Sequence, residues 1–224
     1  MPDAQIRVAI LDDHQPILDG YAFRLAQDPA IEIVAAVHFG SELEAVLARR
    51  PVDVILLDVS VPTAPDNRHP YPILHVIPDL LQRYPNLAVL VISMTAERAL
   101  IRALLEAGIS GYLLKDDAET LRALATVVAT VASGGVCFSQ QAYQWVQRTS
   151  PQTGAPPLTP RQLEALSVCA AYPGATLARL AQRLSVQPST LRNLLSDAYL
   201  RLEVSNRTEA VLKAQHLGLI TRPT

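Results

Sequence analysis

Residues 54–62, Val-Ile-Leu-Leu-Asp-Val-Ser-Val-Pro, constrain this chain more than any other stretch. Four apolar residues end in a carboxylate, and a proline closes the segment. A run this short, β-branched at its start, reads as a strand buried on both faces of a parallel sheet. Asp58 then stands at the strand's C-terminal mouth, where open α/β sheets bind ligands. An aspartate there can also simply cap the next helix. The rest of the sequence decides between the two.

Three more segments follow the same design. Ile6–Leu11 runs into Asp12 and Asp13, Leu87–Ile92 into Ser93, and Ser110–Leu114 into Lys115. In one parallel sheet, Asp12, Asp13, Asp58, Ser93 and Lys115 share an edge. Three clustered carboxylates push one another toward protonation. A hard cation with oxygen ligands removes the conflict, and Mg²⁺ suits a few carboxylates plus phosphate oxygens. A metal, a lysine and a free carboxylate describe a site that accepts a phosphoryl group on Asp58. Lysine occurs only at 115 and 213, which sharpens the meaning of a lysine at a strand end. His14 reads as a loop residue beside the site, since Mg²⁺ prefers oxygen.

The 224 residues suit two modest domains, and half of them are hydrophobic, which excludes a disordered chain. No apolar run reaches the roughly 18 residues of a membrane span, and the N-terminus lacks a signal pattern. A soluble, cytoplasmic protein without a membrane partner is expected. Cys137 and Cys169 lie in apolar segments without metal spacing and read as core. Residues 1–138 carry 10 Lys+Arg against 17 Asp+Glu, net −7; residues 139–224 carry 9 against 4, net +5. An acidic front half suits a metal site, and a basic back half suits a phosphate backbone.

Strands are expected near 6–11, 31–37, 53–57, 87–92 and 110–114, alternating with helices near 15–27, 41–49, 73–84, 96–107 and 117–133. This order gives a doubly wound α/β sheet. Gly134-Gly135 ends the last helix. A short helix over 139–148 carries Tyr143 and Trp145, and Thr149–Pro157 is a linker by composition. The back half is all helix, near 160–171, 176–184, 188–203 and 206–217, with Pro160 and Pro188 marking N-termini. On the third of these, Leu191, Leu195, Ala198 and Leu202 form a core stripe. Ser189, Arg192, Asn193 and Ser196 fall on the other side. Such side chains reach base edges or phosphates in a major groove; on residue pattern alone, a solvated face fits equally.

The motifs "LDDH" (11–14), "ILLDVSVP" (55–62), "VISMT" (91–95) and "SGYLLKD" (110–116) resemble the receiver domain of a two-component response regulator. "LTPRQLEAL" (158–166) through "LRLEVSNRTEAV" (200–211) resembles the LuxR-type helix-turn-helix, and the pair matches the NarL/FixJ class. The resemblance implies a five-stranded flavodoxin-like sheet of order 2-1-3-4-5 with a receiver over 1–138. A linker over 139–157 and an all-α helix-turn-helix domain over 158–224 follow. It implies phosphorylation of Asp58 by a sensor histidine kinase. Mg²⁺ would be held by Asp12, Asp13, Asp58 and the carbonyl of Ser60. Lys115 and Ser93 would contact the phosphoryl group, and Ser93 with Tyr112 would form the switch. Ser189, Thr190, Arg192, Asn193 and Ser196 would contact promoter DNA, and the last helix, with Arg207–Val211, would pair active homodimers. The receiver would catalyse only its own phosphotransfer and dephosphorylation.

Several positions depart from the family pattern. Residues 62–72 hold four prolines and no glycine where a shorter loop is usual. Ser189, Leu194, Leu177, Arg179 and Ser185 replace a basic residue, His, Asn, Glu and the turn Gly. Lost phosphate contacts weaken DNA binding. Two other functions follow from these residues: a regulator acting by protein contact, and a phosphatase with an aspartyl nucleophile. The latter needs a second Asp two residues on, where Ser60 stands. No P-loop or zinc spacing is present.

Overall fold

The computed structural model describes residues 5–147 and 158–220. In chain order the elements are β1 (Ile6–Leu11), α1 (Gln15–Leu25), β2 (Ile31–Val37), α2 (Gly40–Arg49) and β3 (Val54–Leu57). Then come β4 (Pro62–Ala64), β5 (Asn67–Pro70), α3 (Ile73–Arg83), β6 (Ala88–Ser93), α4 (Arg98–Ala107) and β7 (Gly111–Leu114). The series continues with α5 (Ala118–Arg122), α6 (Leu124–Ala132), β8 (Cys137–Phe138) and α7 (Gln140–Gln147). Last are α8 (Pro160–Ala171), α9 (Leu177–Arg183), α10 (Pro188–Leu202) and α11 (Arg207–His216).

The main sheet has the order β2-β1-β3-β6-β7-β8, and its pairings are parallel. Successive side chains point to opposite faces, so each central strand feeds two cores. Ala9, Leu11, Ile55, Leu57, Val89 and Val91 meet α2, α3 and α4 on one face. Val8, Ile10, Val54, Leu56, Leu90 and Ile92 meet α1 and α6 on the other. Burying each Val, Leu or Ile among these is worth about 1.5–3 kcal/mol.

The sheet has six strands rather than five. Gly134 and Gly135 turn the chain back after α6, and Cys137–Phe138 pairs with Gly111 and Tyr112. The close approach needs glycine at 111, where a Cβ would stand 2.2 Å from the Cys137 carbonyl oxygen. The helix expected over 117–133 is two pieces that meet at Ala123, whose ψ is 20°. Asp117 caps the first, accepting from Thr120 N at 3.0 Å. The second is turned to lay Leu124, Val127, Val128 and Val131 on the sheet.

The proline-rich stretch is a small antiparallel hairpin, β4 with β5, rather than a bare loop. Pro62 and Pro70 face each other at its open end, where a missing N–H costs no ladder bond. The hairpin leads into Tyr71, which is buried, donates to Glu44 Oε1 at 2.8 Å, and lies against Gly40 so closely that a Cβ there would be 2.1 Å from its ring.

The back half is the expected helical bundle. Thr159 and Thr176 cap α8 and α9, and Asn206 caps α11, each by accepting a backbone N–H. Ser185 occupies the turn before α10 at φ 53°, the left-handed region that favours glycine. Leu166, Leu180, Leu191, Leu195, Ala198 and Leu202 form its core. Val136, one residue before β8, is buried in that same core, and its N–H donates to the Ser205 carbonyl at 2.8 Å. The expected linker is described only in part: α7 occupies 140–147 and buries Ala142 against the receiver core, and 148–157 lie outside the described residues.

Candidate functional site

Four strands deliver their C-terminal ends to one pocket. Lys115, after β7, reaches back across the sheet. Its Nζ donates to Asp12 Oδ2 at 2.6 Å and to Asp58 Oδ2 at 2.8 Å. The side chains are 9%, 1% and 5% exposed. Burial pulls the Lys115 ammonium down, but the hydrogen bonds and charges of Asp12 and Asp58 outweigh it and hold the group above its ordinary range. The lysine thus bridges two buried carboxylates at once.

Asp13 is exposed and lies 2.8 Å from His14 Nδ1. Asp12 Oδ1 accepts from His14 N at 3.0 Å, which shapes the turn into α1. One ligand atom from each of Asp12, Asp13 and His14 can sit within 4.8 Å of the others. Ser60 N reaches Asp58 Oδ1 at 3.4 Å, so that oxygen is the less restrained of the pair. The Ser93 hydroxyl, 1% exposed, accepts from Thr95 N at 3.0 Å. Tyr112 is fully buried and donates to the Thr95 carbonyl, so this ring already points inward. Burial raises its phenol, partly offset by Ser93 and reinforced by the charge of Asp58.

Two contributors were not evident from the sequence. Thr95 acts through its backbone, which any residue could supply. Tyr21 of α1 is buried, and its hydroxyl has no hydrogen-bond partner among the described residues. Burial raises it above an ordinary phenol, and the charges of Asp12 and Asp58 add to this. With Leu18 and Leu25 it reads as one more core position on α1.

The residues expected to meet DNA lie elsewhere, at the opposite edge of the sheet. The N-terminal half of α10 packs on α3 and α4. Arg192 Nη2 donates to the carbonyls of Leu87 at 2.6 Å and Pro85 at 3.2 Å; Asn193 Nδ2 donates to the Glu106 carbonyl at 2.8 Å. Arg192 and Ser196 are buried, Ser189 and Asn193 half-buried, and Thr190 exposed. Gly108, at φ 100°, brings the end of α4 up to this helix, where a Cβ would stand 3.2 Å from Asn193 Oδ1.

Comparison with known proteins agrees with this architecture. The family model of the response regulator receiver domain matches residues 8–126. The transcriptional regulatory protein DegU of Brevibacillus brevis is 28% identical over 96% of this chain and 95% of its own. The DNA-binding transcriptional activator DevR/DosR of Mycobacterium tuberculosis is 30% identical over 95% of each chain. RcsB of Salmonella typhimurium superposes with a TM-score of 0.57 at 22% identity, covering 96% of this chain and 99% of that one, a likeness of fold. The chain belongs to the response regulator receiver family. Within it, this is a two-component transcriptional regulator of the NarL/FixJ class. Among the described residues no helix is long and apolar enough to cross a membrane.

Proposed function

We propose that this regulator takes a phosphoryl group on Asp58 from a sensor histidine kinase, and that the modification releases α10 to bind promoter DNA. One observation carries the reading: the buried Lys115 ammonium bridges Asp12 and Asp58 at the C-terminal edge of the sheet. Asp58 Oδ1, the freer oxygen, attacks phosphorus while the kinase imidazole leaves with the P–N electron pair. Lys115 holds Oδ2 and then faces the new phosphoryl charge. Ser93 reaches a phosphoryl oxygen by giving up its bond from Thr95 N, which disturbs the Thr95 carbonyl that Tyr112 holds. The oxygens of Asp12, Asp13 and Asp58, with the Ser60 carbonyl, suit Mg²⁺, which supplies neutralisation of phosphoryl charge when bound.

In the resting arrangement Arg192 and Asn193 are engaged by receiver carbonyls. They cannot at the same time read bases. Release frees them, with Ser189, Thr190 and Ser196, for the major groove. The exposed Leu212 on α11 and Leu217 at its C-terminal end support pairing of two copies in the active form. The setting is the cytoplasm, where kinase and promoter are both met.

Acetyl phosphate with Mg²⁺ tests this. Wild-type protein is expected to take up one phosphoryl group and to retain promoter DNA at higher salt; Asp58→Asn is expected to do neither. Labelling that persists in Asp58→Asn, or DNA retention indifferent to phosphorylation, would refute the proposal.

A further inference from the structure

Residues 136–139 belong to both domains. Val136 is buried in the core of the helical domain, and its N–H donates to the Ser205 carbonyl at 2.8 Å. Cys137 N donates to the Ser110 carbonyl at 3.2 Å and Ser139 N to the Tyr112 carbonyl at 3.0 Å, which makes β8 the last strand of the receiver sheet. Phe138, between them, packs against the core of each domain. Within residues 5–147, Val136 and Phe138 are the members of the helical domain's core. The fit is close on both sides. A Cβ on Gly135 would stand 2.7 Å from the Ser205 carbonyl oxygen, and one on Gly111 would stand 2.2 Å from that of Cys137.

A strand of two residues falls below the roughly three to ten that are usual. Its bonds to Ser110 and Tyr112 are each worth little once the competing water is counted, so they do not order it alone. The strand forms because its flanks are anchored, Val136 in the helical domain and Ala142 of α7 in the receiver core. The Ser139 hydroxyl is fully buried without a hydrogen-bond partner among the described residues, and an unmet buried polar group counts against the closed arrangement. β8 is therefore marginal, and loss of either anchor opens the segment as one unit.

We propose that residues 136–139 are a two-sided latch that makes docking of the helical domain and pairing of β8 with β7 a single cooperative event. Undocking the helical domain unpairs β8, and disturbing β7 loosens the helical domain, each to the extent that linkage between the two requires. The latch is separate from the contact of α10 with α3 and α4. It also extends the proposed switch. The Tyr112 carbonyl is one of the latch's acceptors on β7, so a change at Tyr112 reaches the helical domain through the backbone. In that use it rests on the switch proposed above; the latch itself does not, and neither does its test.

Amide hydrogen exchange, read by NMR on the full-length Asp58→Asn protein without Mg²⁺, keeps phosphorylation out of the test. Val136→Ala loosens the latch from the helical side by removing buried methyl groups. Gly111→Ala loosens it from the receiver side by driving a methyl into the Cys137 carbonyl. Val136→Ala is expected to speed exchange at Cys137 and Ser139 about tenfold, although both amides bond to the receiver. Gly111→Ala is expected to speed exchange at Val136 by a similar factor, although that amide bonds to Ser205. The amides of Ile10 and Leu56, in the centre of the sheet, should stay as protected as in the parent. Acceleration confined to the perturbed side would overturn the proposal. So would equal acceleration at Ile10 and Leu56, which would mean a general loss of stability. Val136→Ala decides alone if Gly111→Ala does not fold. Failure of Asp58 to take up phosphate would defeat the phosphorylation reading and leave this result standing.

Discussion

Replacing Lys115 by methionine removes the one cation that the structure places between Asp12 and Asp58, and its cost can be worked from the geometry. The two Nζ–Oδ separations are 2.6 and 2.8 Å among side chains no more than 9% exposed. At an effective dielectric near 20, each contact is worth at most about 6 kcal/mol. Much of that is offset in the wild type by the desolvation of the ammonium, which methionine does not suffer. Breaking a buried pair from one side costs about 3–5 kcal/mol, and this is the expected loss at pH 7 in EDTA, read from urea unfolding. The folded Lys115 pKa is raised, so the wild-type contribution is complete below the ordinary lysine range and fades only as pH rises through the folded value. A loss below about 1 kcal/mol would refute the claim that Lys115 holds the pair together.

Three further outcomes follow from single residues. Ser185→Gly relieves a left-handed φ of 53° and should stabilise the helical domain by about 0.5–1 kcal/mol, the relief exceeding glycine's extra unfolded-state entropy; a lower Tm would contradict this. Gly40→Ala drives a methyl into the buried Tyr71 ring and should cost about 1–3 kcal/mol in thermal unfolding, with faster proteolysis of residues 62–70. Arg7 holds the Asp53 carboxyl below its usual range, so this contribution is present above about pH 4 and lost as pH falls through the folded value. With the pair about a third exposed, Asp53→Asn should cost only about 0.5–1 kcal/mol at pH 7, with the difference vanishing in acid.

Much of this molecule can be read from its chain because each element carries its own boundary. Central strands are short apolar runs closed by a polar residue, and Pro160 and Pro188 start their helices where fixed φ and a missing N–H cost least. The pocket of Asp12, Asp58, Ser93 and Lys115 is legible for the same reason: parallel topology gathers whatever follows each strand. What escapes the sequence depends on partners. Two residues, Cys137 and Phe138, cannot show a period, and their strand exists because Gly111 lets them approach. Pro62 and Pro70 read as loop, although the hairpin needs no N–H from either. The polar face of α10 presents Arg192 and Asn193 identically whether DNA, water or a carbonyl lies opposite; pattern gives the face and not its occupant.

The central claim is that α10 must leave the receiver before it can bind DNA. A disulfide across the docked surface tests it most directly. A Cβ built on Gly108 lies 4.0 Å from that of Ser189, inside the roughly 3.5–4.5 Å that a disulfide spans. In the double substitution Gly108→Cys/Ser189→Cys, both redox forms share the strain of a side chain at positive φ, so comparing them isolates the tether. The phosphorylated protein is expected to bind promoter DNA when reduced and to lose that binding when oxidised, regaining it with reductant. Equal DNA affinity of the oxidised and reduced forms would contradict the account.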